Sequence, residues 1–457
     1  MKFGNRIKAY QSDILAGIKR MVAIPSVAAP ALPGKPFGEE SARALAEILK
    51  MAQELGLETH NVGNYAGHAA YGTGAGFADV LCHVDVVPAG DGWVTEPFQA
   101  VERNGLLYGR GTADDKGAAV VALYCLKALQ DAGVPTKRKL RVIFGGGEEI
   151  ASDDIKKYYE SESLPDFGFT PDASYGICNR EKGILRLKLT GGLAGRSLRS
   201  FQAGTVVNAV PAKAQAVLDC TPGQAAALRA MAPVCGEFSF TDTQNGICIA
   251  SAGVAAHAMM PQEGKNAAAR LIRLLTKVFT KEELGGLLMF LSEHIGLDTT
   301  GAGLGIRQSD EPSGPLTVNL GIVRINDGVP SASLDIRYPV TANGQAIYAA
   351  VQHAALPYQV HCECLLDNKP LYMPDDQPLM RLLQDAYQSV TGKKAETFSS
   401  GGGTYAREMQ GRGVAFGPIF PDEPDRGLHN ANESIDIARF MEHAQICLEA
   451  MYRMATE

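Results

Sequence analysis

The sequence predicts an α/β protein of two domains, the first of them discontinuous. Residues 1–183 and 373–457 read as a mixed sheet with flanking helices, and residues 184–372 as an inserted α/β domain. Three observations predict this. Short apolar, β-branched runs alternate with amphipathic helix-like stretches along most of the chain, the pattern of a layered α/β architecture. Clusters of Asp, Glu, His and Gly fill the chain up to about 183, disappear, and return near 378. Between them lies a weak internal repeat. NAVPAKAQAVLD (208–219), a helix at 223–232 and a strand with Phe238 and Phe240 answer to NDGVPSASLDIR (326–337), a helix from 344 and the strand YQVHCEC.

At 457 residues the chain is too long for one ordinary domain. A net charge of −7 gives no electrostatic attraction toward nucleic acid or an anionic membrane, so neither is expected as a partner. Nine scattered cysteines, an odd number, argue for a reducing compartment rather than a disulfide framework. Cys362-x-Cys364 reads as strand alternation, because no second pair completes a metal site. The opening MKFGNRIKAYQSDILAGIKR lacks the apolar core and small-residue cleavage site of a leader. No apolar run approaches the ~18 residues of a spanning helix. A cytoplasmic protein is the expectation.

In chain order, Ile7, Ile14, Leu15, Ile18 and Met21 predict a helix over 7–22, and Ala42, Leu45, Leu49 and Ala52 another over 39–54. GTGAG at 72–76 lacks the G-x-G-x-x-G spacing and opens no helix, so it is a turn. An apolar strand carrying Val80 and Leu81 leads to His83, and KGAAVVALYCLKAL gives a helix over 116–132. Leu140 to Phe144 make a buried strand, with Glu148 and Glu149 just past its carboxyl end, the edge where open α/β sheets bind ligands. Late in the chain come a helix at 379–390, a Gly-rich turn from Ser399 to Arg407, a strand at 414–416, a loop with His429 and a terminal helix to about 454.

Taken singly, the chemical residues are unremarkable: a core His, turn acids, a solvated acid pair. Together they are not. His83 and Asp85 are two apart on a strand, hence on one face, and a ligating His commonly gives its second ring nitrogen to a carboxylate. Asp114-Asp115-Lys116 follows a Gly-rich turn and opens a helix, and Asp172 stands in the turn FTPDAS. Imidazole with hard carboxylate oxygens suits Zn, Mn or Co and excludes a thiolate site.

HVDVVPAGDGW followed by GRGTADDKG resembles the dinuclear-metal peptidases, a family of aminoacylases, desuccinylases, glutamate carboxypeptidases and dipeptidases, in particular its dipeptidase-V (PepV/Sapep-like) branch. The resemblance implies a zinc-peptidase-like catalytic domain with an inserted lid, and two divalent ions, zinc before manganese or cobalt. It implies that Asp114 bridges them, that His83 and Asp172 complete one, and that Glu149 and His429, in His429-Asn430-Ala431-Asn432-Glu433, complete the other. Glu148 is then the general base acting on a metal-bridging water, Asp85 orients His83, and Asp115 faces solvent or the helix N-terminus. From the lid, His257 polarises the scissile carbonyl with a donor added by Asn208. Arg337 grips the substrate carboxylate through a bidentate fork, a core-edge salt bridge being its alternative. Gly402 and Gly403 offer backbone N–H groups to the same carboxylate, beside Thr404. GGGEE, in place of a more polar lead-in, and Arg180, in place of a small residue, depart from the family pattern.

The expected function is metal-dependent hydrolysis of small dipeptides. An N-acyl amino-acid deacylase is the rival enzyme. A catalytically silent binder of amino-acid-like ligands is the rival from another class, and the intact Glu148 speaks against it. The internal duplication leads to the expectation of an active monomer, with a homodimer as the alternative.

Overall fold

The run Phe77–His83 has no polar face: from Ala78 onward every residue is buried. Even Asp79 is inside, where Arg141 of the next strand meets both of its oxygens at 2.8 and 2.7 Å. Strands buried on both faces belong in the middle of a parallel sheet. There this one lies in the computed structural model, which describes residues 2–150, 153–192, 195–326 and 329–457. Strand order along the sheet is 58–62, 66–71, 139–145, 77–83, 167–170, 413–415, 177–181 and 371–372, with 397–400 also paired to 177–181. The four central strands, 139–145 to 413–415, are parallel, and 58–62 and 66–71 add antiparallel pairs at one side. His83 is in register with Gly145, so the two strands end at one level and their following turns leave from the same edge.

The helix Lys116–Asp131 buries twelve of its sixteen residues, as an element that is apolar all round must. It shares one hydrophobic core with the sheet and with the helices Gln11–Val22 and Ile437–Thr456. Its first residue, Lys116, is fully buried and donates to the carbonyls of Met21 and Ile24, at 3.1 and 2.6 Å. The side chain thereby adds a second donor to carbonyls at and just past the end of the helix Gln11–Val22, which also accept from the N–H groups of Ile24 and Ser26. The helix expected over 7–22 is in fact two pieces, a 3₁₀ segment Phe3–Tyr10 followed by the α-helix from Gln11. Residues 72–76 form a loop, with positive φ at Gly72 and Gly76.

The chain divides into two compact units, one of Met1–Asn179, Leu371–Phe398 and Gly403–Glu457, the other of Arg180–Pro370 and Ser399–Gly402. The second unit is an eight-stranded antiparallel sheet in the order 238–243, 246–252, 213–219, 198–203, 317–325, 331–338, 183–190, 361–368. Alternation along Lys213–Asp219 sends Ala214, Ala216 and Leu218 into a core shared with the helices Ala267–Leu275 and Gly344–Ala355. Counted from either edge, the sheet has matching parts. The run 213–219, helix Pro222–Cys235, strand 238–243 has its counterpart in 331–338, helix Gly344–Ala355, strand 361–368. The position held by 246–252 in one half is filled in the other by 183–190, which precedes both halves in the chain. Asp327 and Gly328, in the second copy of the repeat, lie outside the described residues. Among the described residues no helix is long and apolar enough to cross a membrane.

Candidate metal centre

The edge where the strands Phe77–His83 and Lys139–Gly145 end is where the acids and imidazoles converge. The His83 side chain is 1% exposed, with Nδ1 3.0 Å from the Asp85 carbonyl oxygen and Nε2 2.9 Å from Asp114 Oδ1. The other Asp114 oxygen is 2.9 Å from His429 Nε2, which is also 3.3 Å from Glu149 Oε1. One carboxylate thus lies between two imidazoles. Donor atoms of His83, Asp114 and Glu149 lie within 4.8 Å of one another, and so do those of His83, Glu148 and Asp172.

Residues that sequence reasoning passed over hold this arrangement. Glu433 is buried and accepts from the backbone N–H groups of Gly111, Ala113 and Asp114, at 3.0, 2.9 and 3.2 Å. Arg110 pairs with the same carboxylate at 2.6 Å and donates to the carbonyl of Asn430, next to His429. The Asp114 loop and the His429 loop are therefore tied through one ion pair. His429 itself takes a left-handed φ of 59°, a region uncommon outside Gly that Asn, Asp and His enter more often than other residues, and its side chain is 55% exposed. The signal for Glu433 was in the sequence, as the last residue of the HNANE segment.

Two expectations are sharpened here. Of the two places expected for Asp115, solvent is excluded and the helix N-terminus holds: it is the N-cap residue of the helix Lys116–Asp131, fully buried, and its Oδ2 accepts from the His83 backbone N–H at 3.2 Å. Asp85 meets the His83 ring chiefly through its own backbone carbonyl. Its carboxylate also faces the ring, with Oδ1 3.4 Å from His83 Nδ1 as the orienting role requires, and in addition accepts from the backbone N–H groups of Glu148 and Glu149, at 3.2 and 3.1 Å.

The electrostatics of the cluster call for cations. Burial, and then the charge of Asp172, push the Glu148 carboxyl well above its ordinary range. Burial and Asp114 do the same to Asp172. Burial would also raise Asp114, but hydrogen bonds from His429 and His83 outweigh it and hold that carboxyl low. Contacts with Asp114 and Glu149 raise His429 to about 11. The neighbouring basic side chains are engaged elsewhere, Lys116, which burial lowers to about 7, on carbonyls and Arg110 on Glu433. Repelling carboxylates with two imidazoles, on donor atoms this close, are a donor set fitted to divalent ions.

The remaining predicted residues fall outside this cluster. In the second unit, Asn208 and His257 stand on two loop segments joined by backbone bonds: Ala258 N–H donates to the Asn208 carbonyl at 2.9 Å, and Ala209 bridges His257. Asn319 steadies this loop, donating to the carbonyls of Val207 and Ala209. The His257 side chain is exposed, and its Nδ1 accepts from Met259 N–H at 3.2 Å. Arg337 is buried, with its guanidinium on both oxygens of Asp335 and on the Gly401 carbonyl. The core salt bridge is what the described residues display, and the fork lies closed on Asp335. Gly402 N–H donates to Ser400 Oγ at 2.9 Å. Gly403 packs against the Arg407 guanidinium, and Thr404 Oγ1 accepts from Ala406 N–H.

The family model described as peptidase family M20/M25/M40 matches residues 80–455, a span that holds every residue of the cluster. The chain belongs to this family. M20 peptidases are metallopeptidases, and membership brings divalent metal ions with it. Across nearly its whole length the chain is similar to "Putative dipeptidase YtjP" of Bacillus subtilis (strain 168), with 35% identity over 97% of this chain and 98% of that one. Among solved structures, human carnosine dipeptidase 1 shares the fold with a TM-score of 0.62 at 17% identity, covering 99% of this chain and 98% of the other. The M20 family metallo-carboxypeptidase Sso-CP2 from Sulfolobus solfataricus matches with a TM-score of 0.61 at 16% identity, over 97% and 99%. At these identities the structural likeness speaks for the fold.

Proposed function

We propose that this M20 protein is a metal-dependent dipeptidase, with residues 1–183 and 373–457 as its catalytic domain and 184–372 as its substrate-binding lid. The observation that carries the reading is one carboxylate, Asp114, between the imidazoles of His83 and His429, with Glu149 and Asp172 beside them and Glu148 among them. Full-length relatives bearing the name of dipeptidase support it. His83, Asp114 and Asp172 would hold one divalent ion, and Asp114, Glu149 and His429 a second, zinc in preference to manganese or cobalt. When bound, such ions supply Lewis acidity and a water acidic enough to attack near neutral pH.

The chain's own groups do the rest. Glu148 takes the proton of the attacking water at its carboxylate and returns it to the leaving amine. Asp85 keeps the backbone of Glu148 and Glu149 in place. His257 and Asn208 are assigned to the scissile carbonyl, whose oxygen gains charge as the bond breaks. Arg337 is assigned to the substrate's terminal carboxylate: Asp335 fixes the guanidinium plane, while each terminal nitrogen has a second N–H to give. Gly403 and Thr404 are assigned to that same carboxylate, and the active form is a monomer.

The test is kcat/KM, with metal supplied, on dipeptides, amidated dipeptides, N-acetyl and N-succinyl amino acids and a pentapeptide. Free dipeptides are expected to lead, and amidated ones to lag because groups built for a carboxylate are left unmet. Faster turnover of the N-acyl amino acids would make the protein a deacylase, and efficient cleavage of the pentapeptide would remove the dipeptidase reading.

A further inference from the structure

We propose that Asp154 is a positioning residue for Glu148, acting through the glycine turn Gly145–Gly147 together with Tyr405. The inference rests on the assignment of Glu148 as general base. It starts from GGGEE, the lead-in that departs from the family pattern.

Each glycine of that turn sits where a side chain has no room. A Cβ at Gly145 would overlap the Tyr405 hydroxyl and the Asp154 carboxylate, one at Gly146 would lie 2.7 Å from Ser41 Oγ, and one at Gly147 2.8 Å from the Phe37 ring. The turn is bound along its length. Gly146 N–H donates to the Tyr65 carbonyl, and its own carbonyl accepts from Ser41 Oγ at 2.6 Å. Gly147 N–H donates to Asp154 Oδ2 at 2.7 Å. The same oxygen accepts from the Tyr405 hydroxyl, while Oδ1 accepts from Ile155 N–H at 2.8 Å.

Asp153 and Asp154 are adjacent acids at the start of the helix Asp153–Ser161, and they have different fates. Asp153 is exposed and pairs with Lys156, the ordinary use of an acid near a helix N-terminus. Asp154 is fully buried and points back at the turn. A helix start needs no buried carboxylate, and burying one is costly unless its oxygens are met. Here Oδ1 is met by Ile155 of its own helix, and Oδ2 by donors belonging to the turn and to Tyr405.

With Asp85 on Glu148 and Glu149, three successive amides, 147 to 149, end on two buried carboxylates. The Glu148 backbone therefore has little freedom, and a base held in place loses less on reaching the transition state. Tyr405 extends the device to the metal side, since its ring stands edge-on to that of His83 with centroids 6.2 Å apart.

Two variants test this. Asp154→Asn keeps the shape but sets an NH2 group against donors, at Gly147 and Tyr405 or at Ile155. Tyr405→Phe removes only the hydroxyl and keeps the ring. Each is expected to lower kcat roughly 10–100-fold, the scale for outer partners of a catalytic group, with KM and bound metal unchanged. Each is expected to cost nothing further in a Glu148→Gln background, because groups acting as a unit are not additive. If Asp154→Asn does not fold, Tyr405→Phe decides alone. Unchanged kcat, a loss that multiplies with that of Glu148→Gln, or metal lost in step with activity each overturns the proposal. A Glu148→Gln enzyme that is itself fully active overturns the function reading instead, so the two failures are distinguishable.

Discussion

The sheet edge of the first unit and the loop pair of the second carry candidate residues in opposite ways. At the sheet edge, His83 shares one close group of donor atoms with Asp114 and Glu149 and another with Glu148 and Asp172, and their charges are mutually dependent. In the second unit, His257 is exposed and its loop is held by backbone bonds and by Asn319. The difference teaches what each region risks when a side chain is lost. Removing one member of a buried charged cluster strands the others. Removing an exposed side chain from a backbone-held loop takes away only what that side chain does.

The largest expected effect follows from the cluster. Exhaustive chelation should abolish hydrolysis, and zinc, manganese or cobalt should restore it; the check is activity against metal content by elemental analysis. Chelation should also lower the melting temperature, because ions bound only by the folded chain stabilise it by mass action. Full activity at zero metal would falsify the metal reading.

Next come the adjacent acids. Glu148→Gln should reduce kcat by ~10²–10⁴-fold, the contribution of a positioned proton shuttle, with metal retained. Glu149→Gln should lower metal occupancy first. Equal metal loss in the two variants would show that the division of labour drawn between them is wrong.

The loop pair should give a smaller, purely kinetic effect. His257→Ala is expected to lower kcat ~10²–10³-fold, the cost of one lost oxyanion donor, with metal content and melting temperature unmoved. Mixing it with Glu148→Gln chains should recover nothing, since each chain is proposed to serve its own site. Recovered activity would show His257 crossing between chains.

The smallest effect belongs to the scaffold. Burial lowers His443 from its ordinary 6.5 to about 3, and His68 to about 4. Well above pH 6.5 both are neutral, folded or unfolded, and their contribution is intact. As pH falls from about 6.5 toward 3–4 the unfolded chain binds more protons, so stability drops through that window. The drop in urea midpoint between pH 7 and pH 5 should be smaller in His443→Gln than in the wild type. An identical drop would place the acid sensitivity elsewhere.

How much of this was legible beforehand depended on distance along the chain. The two-residue spacing of His83 and Asp85 pointed to their meeting, which they do at 3.4 Å, although the strand ends at His83 and Asp85 lies beyond it. The work of the Asp85 carboxylate, on the amides of Glu148 and Glu149, depends on His83 being in register with Gly145, which no local pattern reveals. Two adjacent acids gave no sign of which turned inward, and at 114–115 Asp115 proved as buried as any ligand. At Gly402 the Gly-rich turn read as a donor nest, and its spacing gave no sign that Ser400, two residues back, takes the amide. The strand–helix–strand repeat was readable because each copy is continuous. Its remaining strand, 183–190, was not, since it lies ahead of the half it completes.

That displaced strand has a consequence for how the protein is made. A chain leaves the ribosome N-terminus first, at about 5–20 residues per second. Strand 183–190 therefore emerges well before either neighbour it pairs with, 331–338 or 361–368, exists. For some seconds it is an apolar ribbon with both edges open, the kind of segment that finds wrong partners. Arg186 and Lys188, alternating with Leu185, Leu187 and Leu189, put charge on one of its faces during that wait. The half-sheet built on 198–252 is contiguous and free to assemble meanwhile, leaving the late half to close on a strand made long before it.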